Sequence, residues 1–192
     1  MKQNRFGQAA IFKPHEIKKI RAAFNSKHRA IFEIALFTGE RIGAICRLRV
    51  SDVFDESGAV REKITFIALH RKACAGKRET RQVAIHPDLR SFLEGMKLPK
   101  SEYLFPSTDM TKPISYDSVY QYWQVKFAEL GLDHRGFSCH STRRWFITNL
   151  IRNGVDIRTV QAITGHKSTR VLLNYVDTDE RVSERAIATL QI

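Results

Sequence analysis

Apolar residues recur at helical spacing along most of this chain. Ile17, Ile20, Ala23 and Phe24 share one face of residues 13–24, and Pro14 sits in the first turn, where a missing N–H costs nothing. Residues 29–39 (RAIFEIALFTG) predict a second, strongly apolar helix stopped near Gly39. Residues 41–53 (RIGAICRLRVSDV) predict a third, with Ile42, Ile45 and Leu48 spaced for one buried face. The period then changes. KITFIAL (63–69) is β-branched and aromatic and TRQVAI (80–85) alternates, which predicts two strands. HRKACAGKRE lies between them, so they form a hairpin with a long basic tip. Helical spacing returns at 87–96 and at 115–130. In CHSTRRWFITNL (139–150), Ser141 or Thr142 is available as an N-cap. Asp156 caps residues 157–164, which Gly165 ends, and Ser168 caps 169–176. A last helix is expected over 180–191. The fold class is therefore mainly α with one small antiparallel β-sheet, α+β. No linker interrupts residues 13–192, which read as one domain behind a basic arm, 1–12.

Composition adds a partner class to this picture. The chain has 192 residues, 43% of them hydrophobic, enough for a real core. Its formal net charge is +12 and its pI about 9.9, which points to a polyanion, most often nucleic acid. The charge is uneven. Residues 1–50 hold eleven Lys/Arg against three acids, and residues 71–81 hold five against one. Residues 177–185 reverse the trend, with four acids and two arginines. Three widely spaced cysteines, Cys46, Cys74 and Cys139, argue against a disulfide framework and for a reducing compartment. No signal peptide or membrane-spanning run is present in the sequence, so a cytoplasmic, nucleoid-associated location is the expectation.

Four separated pieces can carry chemistry: Arg41 just after a glycine turn; Lys72 and Lys77 in the hairpin tip; His140 and Arg143, three apart on one helix face; and His166, with Tyr175 nine residues on. Each has a plain structural reading. Arg41 can be a solvated arginine, the lysines a soluble tip, His140 a cap, His166 a loop residue and Tyr175 a core tyrosine. Zinc-ligand spacing, a phosphate loop of the GxxxxGK[ST] type and a G-x-S-x-G elbow are all missing from the sequence.

Together the pieces fit phosphoryl transfer on DNA. That reaction needs a nucleophile, neutralisation of the equatorial oxygens and a proton for the leaving oxygen. Arginine forks match phosphate oxygens and stay protonated. A phenol can attack and a lysine on a basic tip can protonate a leaving 5′-hydroxyl. A phosphate would also offset the cost of cations at a helix N-terminus, where the dipole is already positive.

These residues resemble the tyrosine recombinase, or phage integrase, family. TGERIGAICRLRVSD resembles its first arginine box, CHSTRRW its His-x-x-Arg box, and ITGHKSTRVLLNYV its Gly-His box with the tyrosine nine residues later. The order also fits, and the resemblance runs from about Phe12 to the C-terminus. It implies that Arg41 and Arg143 hold the scissile phosphate, that Lys72 is the general acid and His140 assists proton transfer, and that His166 hydrogen-bonds the phosphate. Tyr175 would attack to give a 3′-phosphotyrosyl DNA. Lys77, Arg78, Arg81 and Arg144 would contact the duplex. Lys72, where the first strand should end, is preferred to Lys77. The resemblance implies no cofactor and no metal. It implies double-stranded DNA at a specific site as substrate and a homotetramer on two duplexes. The C-terminal segment ERVSERAIATLQI would dock on a neighbour or pack on its own domain.

Three departures stand out. Family members usually carry an acid three residues after the first arginine, where this chain has Ala44, and leucine before the second arginine, where it has Thr142. Most also have an N-terminal helical domain that clamps the DNA. Here the expectation is that it is absent, either because the chain is a cut-down piece or because it resembles the short inversion recombinases. Two rival functions share the scaffold: a DNA-binding regulator that has lost the chemistry, and a type IB topoisomerase. The full set of Arg41, His140, Arg143, His166 and Tyr175 argues against the first, the short chain and the Gly-His pair against the second.

Overall fold

Helix α1 (Pro14–Ala23) opens the folded chain, with Pro14 at its first position and Lys13 N–H donating to Glu16 Oε2 at 2.7 Å. Helix α2 (Ser26–Thr38) follows at once, because the Asn25 side chain accepts from His28 N–H and caps it. The computed structural model describes residues 9–70, 79–166, 168–173 and 175. They fall into two compact units, Met1–Phe146 and Ile147–Ile192.

The third expected helix is cut short. Helix α3 spans only Ile42–Ile45, and a 3-10 turn follows at Val50–Asp52. The reason is non-local. Leu104 N–H donates to Leu48 O at 2.8 Å and Val50 N–H to Glu102 O at 2.9 Å, so residues 48–50 are held extended against 102–104. The Asp52 carboxylate takes Arg49 N–H at 2.8 Å and fixes the turn. Ile42, Ile45 and Leu48 are nonetheless buried, as their spacing predicts.

Strands β1 (Lys63–Phe66) and β2 (Arg81–Ala84) pair antiparallel, with Lys63 opposite Ala84 and Phe66 opposite Arg81. Their inward residues Ile64, Phe66 and Val83 join the core. The first strand ends sooner than its pattern suggests, because Ala68–His70 form a 3-10 turn. Helices α4 (Pro87–Glu94) and α5 (Tyr116–Glu129) match their predicted segments. The core is aromatic: Phe24 lies 5.5 Å from Trp123 and Phe12 4.4 Å from Phe137, centroid to centroid. Ala10 and Phe12 are buried there, so the end of the expected basic arm is core rather than arm.

Helix α6 (His140–Arg152) is not capped by Ser141 or Thr142, which lie inside its first turn. Ser138 takes that part. Its Oγ accepts His140 N–H at 3.2 Å, and Ser141 Oγ reaches back to Ser138 N–H at 3.1 Å. In the second unit, Asp156 caps α7 (Ile157–Thr164) through Arg158 and Thr159 N–H, and Gly165 ends it with φ of 67°. Ser168 Oγ accepts Arg170 N–H at the start of α8 (Thr169–Leu173). The helix expected over 180–191 lies outside the described residues.

Two features of the first unit set its tolerance to change. Gly39 ends α2 in the left-handed region, φ 60°, and a Cβ there would lie 2.3 Å from Phe146 Cδ1. Gly39→Ala therefore meets both backbone strain and the Phe146 ring. It should lower stability by about 2–5 kcal/mol in urea titrations, and an unchanged midpoint would contradict this packing. His28 is buried and stacks on Tyr122, 3.7 Å between centroids. Burial, with Lys27 adding repulsion, pushes its pKa from 6.5 down to about 4. The unfolded chain takes up this proton near 6.5 and the fold resists it until about 4. This contribution to stability is thus complete above 6.5 and is lost as pH falls through that window. The urea midpoint of His28→Phe should fall less than that of the wild type between those pH values. Parallel curves would show that His28 does not resist protonation.

Candidate active site

The four residues Thr38–Gly39–Glu40–Arg41 join α2 to α3, and three of them are almost fully buried. Thr38 is 0% and Glu40 1% exposed. A buried turn must satisfy the backbone groups it carries, and here side chains from distant parts of the chain serve two of its carbonyls. Thr38 Oγ1 donates to Ile34 O at 2.6 Å and accepts Glu40 N–H at 3.2 Å. Gly39 N–H closes α2 on Ala35 O at 3.0 Å. Arg81 Nη2 donates to Thr38 O at 3.0 Å, and Arg143 Nη1 donates to Gly39 O at 2.7 Å. Arg41 N–H donates to Glu40 Oε1 at 2.9 Å.

Arg143 therefore points inward rather than out from the start of α6. It is 6% exposed and spans 104 residues of sequence to reach the turn. That contact brings the first arginine segment and the His-x-x-Arg segment together within one unit. Arg41, two residues beyond Gly39, is the N-cap residue of α3 and half-buried. Among the described residues its guanidinium has no hydrogen bond or ion pair. A half-buried, permanently charged fork without a protein partner is a ready anion site. His140 begins α6 and is exposed, and Arg144, next to Arg143, is half-buried.

The second unit holds the other two residues of the predicted set. His166 follows the Gly165 turn, and its Nδ1 lies 2.6 Å from Thr164 Oγ1. The Thr164 hydroxyl also lies 2.6 Å from Val160 O. With its one proton donated to that carbonyl, Thr164 accepts from Nδ1–H, which orients the ring. Tyr175 is half-buried at the turn after α8, its N–H donating to Leu172 O at 2.9 Å.

Other side chains are placed differently from their sequence reading. Arg81, expected on DNA, is 9% exposed, and its guanidinium is engaged with Glu40 Oε2 at 2.9 Å and with Thr38 O. The residue opposite it in the ladder is Phe66, so its side chain leaves β2 on the buried face with Val83. It holds the turn instead of reaching a duplex. Lys72, Lys77 and Arg78 lie outside the described residues. Sequence reasoning missed Glu40, because one acid among basic and apolar neighbours reads as solvated. Its signal was position: the only acid between Glu33 and Asp52, inside an otherwise buried run.

Three other nucleophilic groups described in the first unit are silenced. Burial pushes the Cys46 and Cys139 thiols up to about 12. Burial and contact with Cys139 push the Tyr116 phenol up to about 12, the opposite of an activated oxygen. Among the described residues, no group of three or more His, Cys, Asp or Glu is placed to hold a metal ion, and no helix is long and apolar enough to cross a membrane.

Comparison with known proteins gives a consistent result. The sequence profile described as "Phage integrase family" matches residues 11–181. The Sinorhizobium fredii protein y4qK, whose name describes it as an integrase/recombinase, is 29% identical over 171 residues, covering 86% of this chain and 51% of that protein. The chain thus spans about half the length of this curated relative. The structure of XerA recombinase superposes with a TM-score of 0.72 at 21% identity, covering 96% of this chain and 67% of XerA. XerH recombinase, in a post-cleavage complex with its palindromic difH substrate, superposes with a TM-score of 0.68 at 19% identity, covering 95% of this chain and 54% of that one. At such identities these two likenesses establish the fold.

Proposed function

The chain belongs to the phage integrase family, and from that premise we propose that it is a site-specific recombinase that cleaves and rejoins DNA strands through a 3′-phosphotyrosyl intermediate. The observation that carries this reading is the Arg143–Gly39 contact at 2.7 Å. It supports a site in which a buried arginine lies against the turn that presents Arg41, whose guanidinium is unpaired among the described residues.

In this reading Tyr175 Oη attacks the scissile phosphorus. A P–O bond forms to the phenol, the P–O bond to the 5′ oxygen breaks, and the phenolic proton passes to a base, with His140 in that role. Arg41 and Arg143 offset the charge on the equatorial oxygens throughout. His166, its ring oriented through Thr164, hydrogen-bonds the phosphate. Lys72 protonates the departing 5′-hydroxyl. The ester conserves the bond energy, so a second strand's 5′-hydroxyl can displace the tyrosine without ATP. Arg144, Lys77 and Arg78 contact the duplex backbone. The XerH complex with its difH substrate supports duplex DNA as the partner. The reading extends to a homotetramer on two duplexes, with residues 180–192 docking on a neighbouring subunit, and to residues 13–192 acting as one catalytic domain.

The test uses a nicked duplex carrying the cognate site, so that cleavage releases a short strand and traps the complex. Wild-type protein should form an SDS-resistant adduct, and Tyr175→Phe should form none. Arg143→Ala should lose about 10³-fold or more in adduct rate, on the order of 4 kcal/mol, while retaining much of its DNA affinity. Site-dependent binding without an adduct would make the protein a regulator. Relaxation of plasmids without regard to sequence would make it a topoisomerase.

A further inference from the structure

Helix α3 begins under an unusual arrangement. Its N-cap residue is Arg41, whose N–H is one of the donors a helix start leaves over. Many helices meet this demand with a carboxylate at the third helical position, reaching back to the N-cap N–H. That position here is Ala44, which has nothing to offer. The acceptor comes instead from the residue before the cap: Glu40 Oε1 takes Arg41 N–H at 2.9 Å. The second oxygen of the same carboxylate, Oε2, takes Arg81 Nη1 at 2.9 Å. Arg81 Nη2 goes on to Thr38 O at 3.0 Å. One guanidinium therefore grips the turn at its first and third residues, and the carboxylate passes that grip to the backbone of the fourth.

Burial makes this arrangement stiff. Glu40 is 1% and Arg81 9% exposed, so the charges are poorly screened and neither side chain can trade its partner for water. A buried ion pair is a poor device for stability alone, since apolar replacements of the same shape often serve as well. It suits holding one geometry. The geometry held here is the N–H, and hence the Cα direction, of Arg41, whose guanidinium has no protein partner among the described residues.

We propose that Glu40 and Arg81 are the positioning pair for Arg41, fixing where its guanidinium meets the scissile phosphate. This rests on the function proposed above. Neither residue touches the reacting atoms, and both act through Arg41. The pair also explains why an arginine in a basic stretch faces inward.

The test is a double-mutant cycle read on single-turnover adduct formation. Glu40→Gln keeps the shape and an oxygen for Arg41 N–H but removes the charge that orients Arg81. In the wild-type background it should slow adduct formation about 10- to 100-fold, as expected for a misplaced catalytic group, with the half-saturating DNA concentration within about threefold. In an Arg41→Ala background the same change should slow the residual rate less than about twofold, because the group it positions is gone. Arg81→Lys, which keeps the charge but loses the fork, should give a smaller loss that also vanishes without Arg41, and it serves if Glu40→Gln does not fold. Equal losses with and without Arg41 would show a general structural role and overturn the proposal, as would a rate within twofold of wild type for both variants. If wild-type protein forms no adduct, the recombinase reading fails separately. The same cycle is then read on affinity for the duplex, as it is if Arg41→Ala has no measurable rate, and additive losses there would overturn the positioning role.

Discussion

A backbone turn has been buried in this protein, and much of the first unit is arranged to satisfy it. Thr38, Gly39, Glu40 and Arg41 bring carbonyls and N–H groups to a depth where water cannot serve them, and each unmade bond would cost about 1–3 kcal/mol. The partners come from three directions: α2 itself, Arg81 at the start of β2, and Arg143 in α6. The cost of burying two arginines is offset because both find oxygens at hydrogen-bonding distance. Burying the turn means that the half-buried Arg41 side chain emerges from a base with little freedom to shift. In the role proposed for Arg41, stabilising charge that develops on a phosphate, that preorganisation is the useful property.

The same logic makes Gly39 irreplaceable. Only a glycine takes φ of 60° without strain while letting the Phe146 ring lie where a Cβ would be. Its carbonyl is then presented to Arg143. A conformational requirement, a packing requirement and an electrostatic one meet at a single residue. The second unit repeats a smaller version of the device. Gly165 ends α7 in the left-handed region, and the Thr164 hydroxyl orients the His166 ring just beyond it.

Much of this was legible in the sequence, and the failures share a cause. Helices α1, α2, α5 and α7 followed from apolar spacing and from Pro14, Gly39, Asp156 and Gly165, all local signals. Arg41, His140, Arg143, His166 and Tyr175 were singled out by spacings within single helices and turns, and their roles belong to the function proposed above. What failed depended on distant residues. The third helix stops early because 102–104 pairs with 48–50, and nothing within 41–53 announces that. Arg81 reads as one more cation in a basic hairpin until the register puts it on the buried face beside Val83. Glu40 reads as a solvated acid until Arg81 arrives. The first turn of α6 was misread more locally: Ser138, an earlier hydroxyl, accepts His140 N–H and takes the part expected of Ser141 or Thr142.

The account centres on Arg41 acting as a counter-charge to one DNA phosphate, so the most direct measurement removes the charge from the phosphate instead of the protein. Wild-type and Arg41→Ala proteins would be compared on a nicked duplex with the scissile phosphate intact and on one where it is replaced by a neutral methylphosphonate. The variant should fall about 10³-fold behind wild type on the phosphate and lie within about tenfold of it on the methylphosphonate. An equal deficit on both duplexes would mean that Arg41 does something other than neutralise that charge, and the account would be wrong at its centre.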